Sequence, residues 1–230
     1  MKKMILVAAG ITVATAGFSQ VKFGAQVIGN AGTASVKATE VEDLKTSMRF
    51  GAGAGLVADI SFGKNLGLRP SLNFLQKNSQ VEFQNELFPG KTFSITSNLN
   101  YIESPVQFLY KLPLQSLNLY AGVGPSFGYG ISGKLKAKGW AYTEVEGDQV
   151  PDLIEVNETA DAFKKEDKGG AEFKRFDISA NALVGLQLNN GLYANVGYTH
   201  GFTNLSKEDS YKNRGFQLTV GFLLPGKSLF

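Results

Sequence analysis

Apolar and polar residues alternate along most of this chain with a period of two, the period of a β-strand, whose side chains point to opposite faces in turn. Eight segments carry the pattern. Residues 21–29 put Val21, Phe23, Ala25 and Val27 on one face. Residues 48–62 set Phe50, Ala52, Ala54, Leu56, Ala58, Ile60 and Phe62 against Gly51, Gly53, Gly55 and Asp59. Residues 66–77 set Leu66, Leu68, Leu72 and Phe74 against Arg69, Ser71 and Asn73. Residues 99–112 set Ile102, Val106, Phe108 and Tyr110 against Tyr101, Glu103 and Gln107. The clearest segment spans 117–132, where Leu119, Ala121, Val123, Phe127 and Tyr129 alternate with Tyr120, Gly122, Gly124, Ser126 and Gly128. Residues 176–188, 192–199 and 216–222 complete the set, with Val184, Val196 and Val220 in their apolar phases.

The connections alternate as well. Gly63-Lys64-Asn65, a turn around Pro113 and Asn189-Asn190-Gly191 are short, and the last holds the Asn-Gly pair that a tight hairpin favours. Residues 30–47, 78–98 and 133–172 make long connections, and 205–214 a moderate one. Short turns at one end and long loops at the other predict an all-β, eight-stranded antiparallel transmembrane β-barrel, with periplasmic turns and extracellular loops.

The polar phase separates this barrel from a soluble, lipocalin-like one. A soluble barrel turns that phase to water and fills it with Lys and Glu. Here the fifth segment offers only Asn, Tyr, Gly and Ser, which suit a crowded lumen. The apolar stripe, with Leu56, Val123, Val184, Val196 and Val220, is then expected to face lipid. Aromatics bracket it: Phe50, Phe74, Tyr129, Phe176, Tyr198 and Phe216 toward the long loops, and Phe23, Phe62, Tyr110 and Phe222 toward the short turns. Two such girdles match the two headgroup levels of a bilayer. Eight strands leave room only for side chains inside, so no wide pore is expected.

The N-terminus reads as an export signal over residues 1–19, with the barrel domain over 20–230. Lys2 and Lys3 precede an apolar stretch too short to span a bilayer. Ala14-Thr15-Ala16 and Gly17-Phe18-Ser19 both fit a cleavage site, and cleavage before Gln20 is favoured because Val21 opens the first strand. The chain has no cysteine, which removes disulfides, thiol chemistry and a lipoprotein signal. Loss of Lys2 and Lys3 takes the formal charge from +3 to +1, and no basic stripe points to nucleic acid.

Charged residues in the lumen phase are Lys22, Asp59, Arg69, Glu103 and Asp177. Asp59 falls across from Arg69 about the Gly63-Lys64-Asn65 turn, where opposite charges support pairing. A structural polar plug is the preferred reading, over a proton or ion path. His200, the single histidine, lies in the outward phase beside Tyr198. A lipid-modifying hydrolase would pair it with a serine, but Phe202 stands two residues on. No catalytic residue, cofactor or metal site is assigned. The acids Glu144, Glu146, Asp148, Asp152, Glu155, Glu158 and Asp161 lack calcium-loop spacing, so residues 133–172 read as a solvated surface loop opened by Trp140 and Tyr142.

Five stretches carry a family resemblance. They are Gly67-Leu68-Arg69-Pro70 through Leu75-Gln76-Lys77, Tyr101-Ile102-Glu103-Ser104-Pro105, Tyr120-Ala121-Gly122-Val123-Gly124-Pro125, Tyr198-Thr199-His200-Gly201-Phe202-Thr203-Asn204 and Asn213-Arg214-Gly215-Phe216-Gln217-Leu218. In this order they resemble the PorT-like outer-membrane β-barrel domain of Bacteroidetes. Ser71 stands where that family often has an acid, and the tail runs past the last strand to Phe230, which resembles the terminal aromatic read by barrel-assembly machinery. The resemblance implies a bacterial outer-membrane barrel, with outer-membrane lipid and the assembly machinery as partners. It fixes no single activity. A structural or interaction role ranks first. An accessory role in protein secretion, meeting other envelope proteins, comes second; a small-solute channel and a lipid-modifying enzyme follow.

Overall fold

The computed structural model describes residues 20–37, 44–84, 92–142, 153–206 and 210–224. Residues 1–19, read from the sequence as an export signal, the acids Glu144, Glu146, Asp148 and Asp152, and the Phe230 terminus lie outside the described residues. Nine strands run in order: β1 (Gln20–Lys37), β2 (Leu44–Phe62), β3 (Leu66–Gln84), β4 (Thr92–Pro113), β5 (Leu117–Tyr142), β6 (Leu153–Asp161), β7 (Phe176–Leu188), β8 (Leu192–Gly201) and β9 (Ser210–Leu223). Neighbours pair antiparallel in the order β4-β3-β2-β1-β9-β8-β7-β5, and a β4–β5 ladder closes the ring at eight strands. β6 stands outside the ring, paired to the far half of β5.

The turns at one end have clear local causes. Gly63 (φ 69°) and Gly191 (φ 96°) occupy the left-handed region that glycine enters without strain. Asn190 Oδ1 also accepts the Leu192 N–H at 3.0 Å, which fixes the β7–β8 turn.

The strands are unequal in height. A bilayer crossing needs about 9–11 residues of tilted strand. β8 has 10 residues, whereas β4 has 22 and β5 has 26. A wall built from the far halves of β1 to β6, continued by the β9 residues that pair with β1 as far as Lys37 and Ser210, therefore stands well above the rim of β7 and β8.

This wall corrects the reading of residues 133–172 as a solvated loop. β5 continues to Tyr142, β6 returns as a hairpin, and a 3-10 turn follows at Glu166–Lys168. The alternation breaks at a bulge. Asn100 pairs with Ser132 while Tyr101 pairs with Gly130, so Ile131 is the extra residue. Inward positions on β5 switch there from even to odd numbers. β3, β4 and β9 likewise run past the ends that alternation suggested.

Polar residues fill the ring and apolar ones coat it. Asn73, Ser126, Thr199 and Thr219 are buried, whereas Leu56, Val123, Val184, Val196 and Val220 are exposed, Val184 at 64%. A soluble barrel has the reverse arrangement.

Candidate functional site in the barrel lumen

Two layers of ion pairs cross the lumen. In the layer nearer the short turns, Asp59 and Arg69 are each 2% exposed. They face inward from β2 and β3, one on each side of the hairpin turn. Arg69 donates from Nε and Nη2 to Asp59 Oδ2 at 2.9 and 2.5 Å, and from Nη2 to Gln187 Oε1 on β7 at 2.9 Å. Lys111, from β4, donates to the other Asp59 oxygen and to Ser61 Oγ at 3.0 Å. The Arg69 guanidinium lies between the rings of Tyr120 and Tyr193, at 4.6 and 4.7 Å from their centroids. Desolvated stacking of this kind is worth about 2 kcal/mol per ring. Tyr193 donates to Gln26 Oε1 at 2.6 Å, which ties the layer to β1.

Small residues make space for these rings. A Cβ on Gly221 would lie 2.4 Å from Tyr193 Cζ, and one on Gly185 would lie 2.6 Å from Tyr120 Cζ. The glycines in the polar phase thus act as seats for inward aromatics.

The layer nearer the long loops centres on Lys77 of β3. Its Nζ lies 3.2 Å from Asp177 Oδ2 on β7 and 3.4 Å from Glu103 Oε1 on β4. Asn213 donates to Asp177 Oδ2 at 2.9 Å and Ser126 to Glu103 Oε1 at 2.5 Å. Between the layers lies a polar cavity of about 30 Å³, lined by Arg69, Asn73, Glu103, Asn181, Asn195 and Thr199 among others. That is room for about two water molecules. Arg69 Nη1 and Glu103 Oε2 are buried with no hydrogen-bond partner among the described residues, and both residues line this space.

Above the upper layer the lumen is stoppered. After β6 the chain turns inward and buries Ala162 and Phe163 against Leu99 and Tyr101, with Leu135 and Phe173 packed on them. Phe163 meets Tyr101 edge-on at 6.1 Å, and Arg175 covers its other side at 4.9 Å. Gly130 leaves the space, since a Cβ there would sit 2.2 Å from the ring. Phe173 packs at a tilt against Tyr211, ring centroids 5.1 Å apart, beside the buried Leu205. Backbone bonds Lys174 N–H to Leu205 O and Leu205 N–H to Tyr211 O, both 2.8 Å, tie this plug to β9. At its start, Asp161 Oδ1 accepts the Phe163 N–H at 3.0 Å, and this bond holds the carboxyl below its ordinary pKa.

Of the five charged residues expected inside, Asp59, Arg69, Glu103 and Asp177 lie in these layers. Lys22 sits opposite Asp59 in the β1–β2 register but is half-buried, and no ion pair among the described residues includes it. Lys111 holds the position at Asp59 instead, because it reaches that carboxylate from β4. Lys77, Lys111, Tyr120, Tyr193 and Gln187 were missed as partners. The signal was present: Lys77 shares the phase of Arg69, and Lys111 that of Glu103. Phe163 and Phe173 gave no periodic signal.

The girdle residues form connected outward rows. Phe74, Ile102, Tyr129 and Phe176 are successive register partners, as are Phe50, Ala31, Phe216 and Tyr198. At the other end Phe62 pairs with Leu66 and Leu66 with Tyr110, while Phe222 pairs with Ala25. His200 lies against Tyr198 and Phe202, at 6.3 and 5.5 Å. Groups of three or more potential metal ligands are absent among the described residues.

No curated protein matches the chain. Among solved structures, it is similar to OprG of Pseudomonas aeruginosa, with 12% identity, 90% of this chain and 95% of that one covered, and a TM-score of 0.45. Ail, the attachment invasion locus protein of Yersinia pestis, has 13% identity, coverage of 89% and 99%, and a TM-score of 0.40. Neisserial surface protein A has 12% identity, coverage of 87% and 96%, and a TM-score of 0.39. These likenesses are distant. A family model described as outer membrane protein beta-barrel domain matches residues 10–207. With its closed antiparallel ring, this chain belongs to the outer membrane protein beta-barrel domain family and is a protein of the bacterial outer membrane.

Proposed function

We propose that this protein is a closed barrel with a structural or interaction role, exerted through the tall wall and loops outside the membrane rather than through transport or catalysis. The sealed lumen carries the reading. Two ion-pair layers and the Phe163–Phe173 plug lie in series across it, and the space between the layers is only about 30 Å³. A solute path would require breaking at least one buried ion pair, and each such break costs about 3–5 kcal/mol. His200 packed among aromatics supports an interfacial role over a catalytic one.

In this reading Leu56, Val123, Val184, Val196 and Val220 touch lipid chains, and the aromatic rows lie at the headgroups. The short turns face the periplasm, residues 1–19 are removed on export, no cofactor is held, and barrel-assembly machinery inserts the chain. Planar-bilayer recording tests the closed state. Purified protein that migrates faster unheated than boiled should give no stable conductance steps; reproducible open channels would overturn the proposal.

The five PorT-like stretches favour a second reading, an accessory to protein secretion. It predicts a secretion defect on deletion and recovery of other envelope proteins with the tagged chain.

A further inference from the structure

The outward face of the wall changes character above the upper aromatic rows. Past the bulge β5 turns even-numbered residues outward, so Lys134, Lys136 and Lys138 follow one another on that face, all exposed. Alternate residues on a strand lie about 7 Å apart, so the three form a ladder that starts just beyond Ile131. Their partners across β4 are Asn98, Thr96 and Ser94, all neutral. Across β6 they are Asp161, Thr159 and Asn157. Asp161 is already engaged by the Phe163 N–H and by Lys164 at 3.7 Å. Glu155 lies further along β6, opposite Trp140. None of the three lysines joins an ion pair among the described residues.

Two shallow grooves on this face meet at Asn98. One runs beside Lys134 and Lys136, and the other reaches Arg49 on β2. Arg49 donates to Gln80 Oε1 at 2.7 Å, and Gln80 is the register partner of Thr96. Thr96 and Gln80 therefore separate a guanidinium from the lysine ladder by three strand spacings, about 15 Å; the one acid on this floor among the described residues, Glu82, lies two strands from Lys138 and accepts from Gln80 Nε2 at 2.7 Å. Like charges stacked on one strand face repel each other, so counter-charge from outside the chain stabilises them. Their height selects its source. The ladder begins where, in the placement proposed above, the membrane ends.

We infer that this face binds the phosphorylated sugar headgroups of the glycolipid that forms the outer leaflet around the barrel. Lys134, Lys136, Lys138 and Arg49 meet the phosphates as charge-assisted donors, and Thr96 and Asn98 hydrogen-bond the sugar hydroxyls. The inference rests on the girdle placement proposed above.

The test compares the full chain with a Lys134→Gln/Lys136→Gln/Lys138→Gln variant, both in detergent. The probes are purified lipopolysaccharide, the same material dephosphorylated, and phosphatidylglycerol. The unaltered chain should bind lipopolysaccharide roughly tenfold more tightly than the variant. Dephosphorylation should abolish that difference, and phosphatidylglycerol should bind both proteins alike. Equal affinity of the two proteins for lipopolysaccharide would overturn the inference. So would a matching loss for phosphatidylglycerol, which would reduce the ladder to a general anion attractor. Heat-modifiable migration and membrane recovery of both proteins report separately on whether the barrel sits in the membrane as proposed.

Discussion

Arg69 and Asp59 face each other across the β2–β3 hairpin, with two guanidinium nitrogens on one carboxylate oxygen at 2.9 and 2.5 Å. Lys111 takes the second oxygen, so a single acid balances two cations. Asp59→Ala strands both of them, and the expected loss is about 3–5 kcal/mol. Adding Arg69→Ala should restore part of that loss, because one orphaned charge goes with it. Urea unfolding in lipid vesicles measures the cycle, and strictly additive losses would contradict the pairing.

Gly221 lies directly beneath the Tyr193 ring, and a Cβ there would come within 2.4 Å of it. The ring is held in place by Arg69 and Gln26, so it has little freedom to move aside. Gly221→Val should therefore destabilise the barrel by about 1–3 kcal/mol. Tyr193→Leu in the same chain should relieve most of the clash, leaving only the loss of the stacking contact. Unfolding midpoints of the two single variants and the double variant decide it.

Val184 and Asn181 lie three residues apart on β7, one pointing out and the other lining the cavity. Val184→Arg should cost about 2–4 kcal/mol if that side chain lies mid-bilayer. Asn181→Arg instead places a cation near Glu103, whose free oxygen can accept it. Equal tolerance at the two sites would argue against the proposed facing.

The plug depends on Phe163. Phe163→Ala removes the ring that fills the space over Gly130, and the 161–175 segment should then leave the mouth while the ring of strands stays closed. Trypsin should cut at Lys164, Lys165 or Lys168 faster in the variant, with heat-modifiable migration retained. Unchanged cutting would show that Phe163 does not hold the segment.

Asp161 makes the base of the plug sensitive to acid. Its carboxyl is held low first by the Phe163 N–H and then by Lys164. The stabilisation is complete above the ordinary carboxylate value and is lost as pH falls through the lowered folded value. Exchange protection of the Phe163 amide should therefore drop only in that acid range. Asp161→Asn should abolish the pH dependence.

The ring strands were legible because one face meets a polar lumen, which enforces the period of two from Val21 to Phe222. The β5 continuation was not legible, because the bulge at Ile131 shifts the phase and makes the following residues look irregular. β6 was hidden by Glu155 and Glu158, which read as solvated loop. The Asp59–Arg69 pair was legible because a three-residue turn fixes its register. Lys77–Asp177 was not, because β3 and β7 meet only across the barrel and no local spacing relates them. Phe163 and Phe173 are single apolar residues in a charged run, and only their packing in the mouth reveals their role.

The charges in the two layers are divided unequally along the chain. β2, β3 and β4 contribute Arg69, Lys77 and Lys111 against Asp59 and Glu103, an excess of one positive charge, while Asp177 arrives with β7. Neither half of the protein is neutral inside by itself. Joining the first strands to the last is thus the event that cancels the interior charge, and a half-assembled sheet left in the bilayer carries an electrostatic penalty that completion of the circle removes.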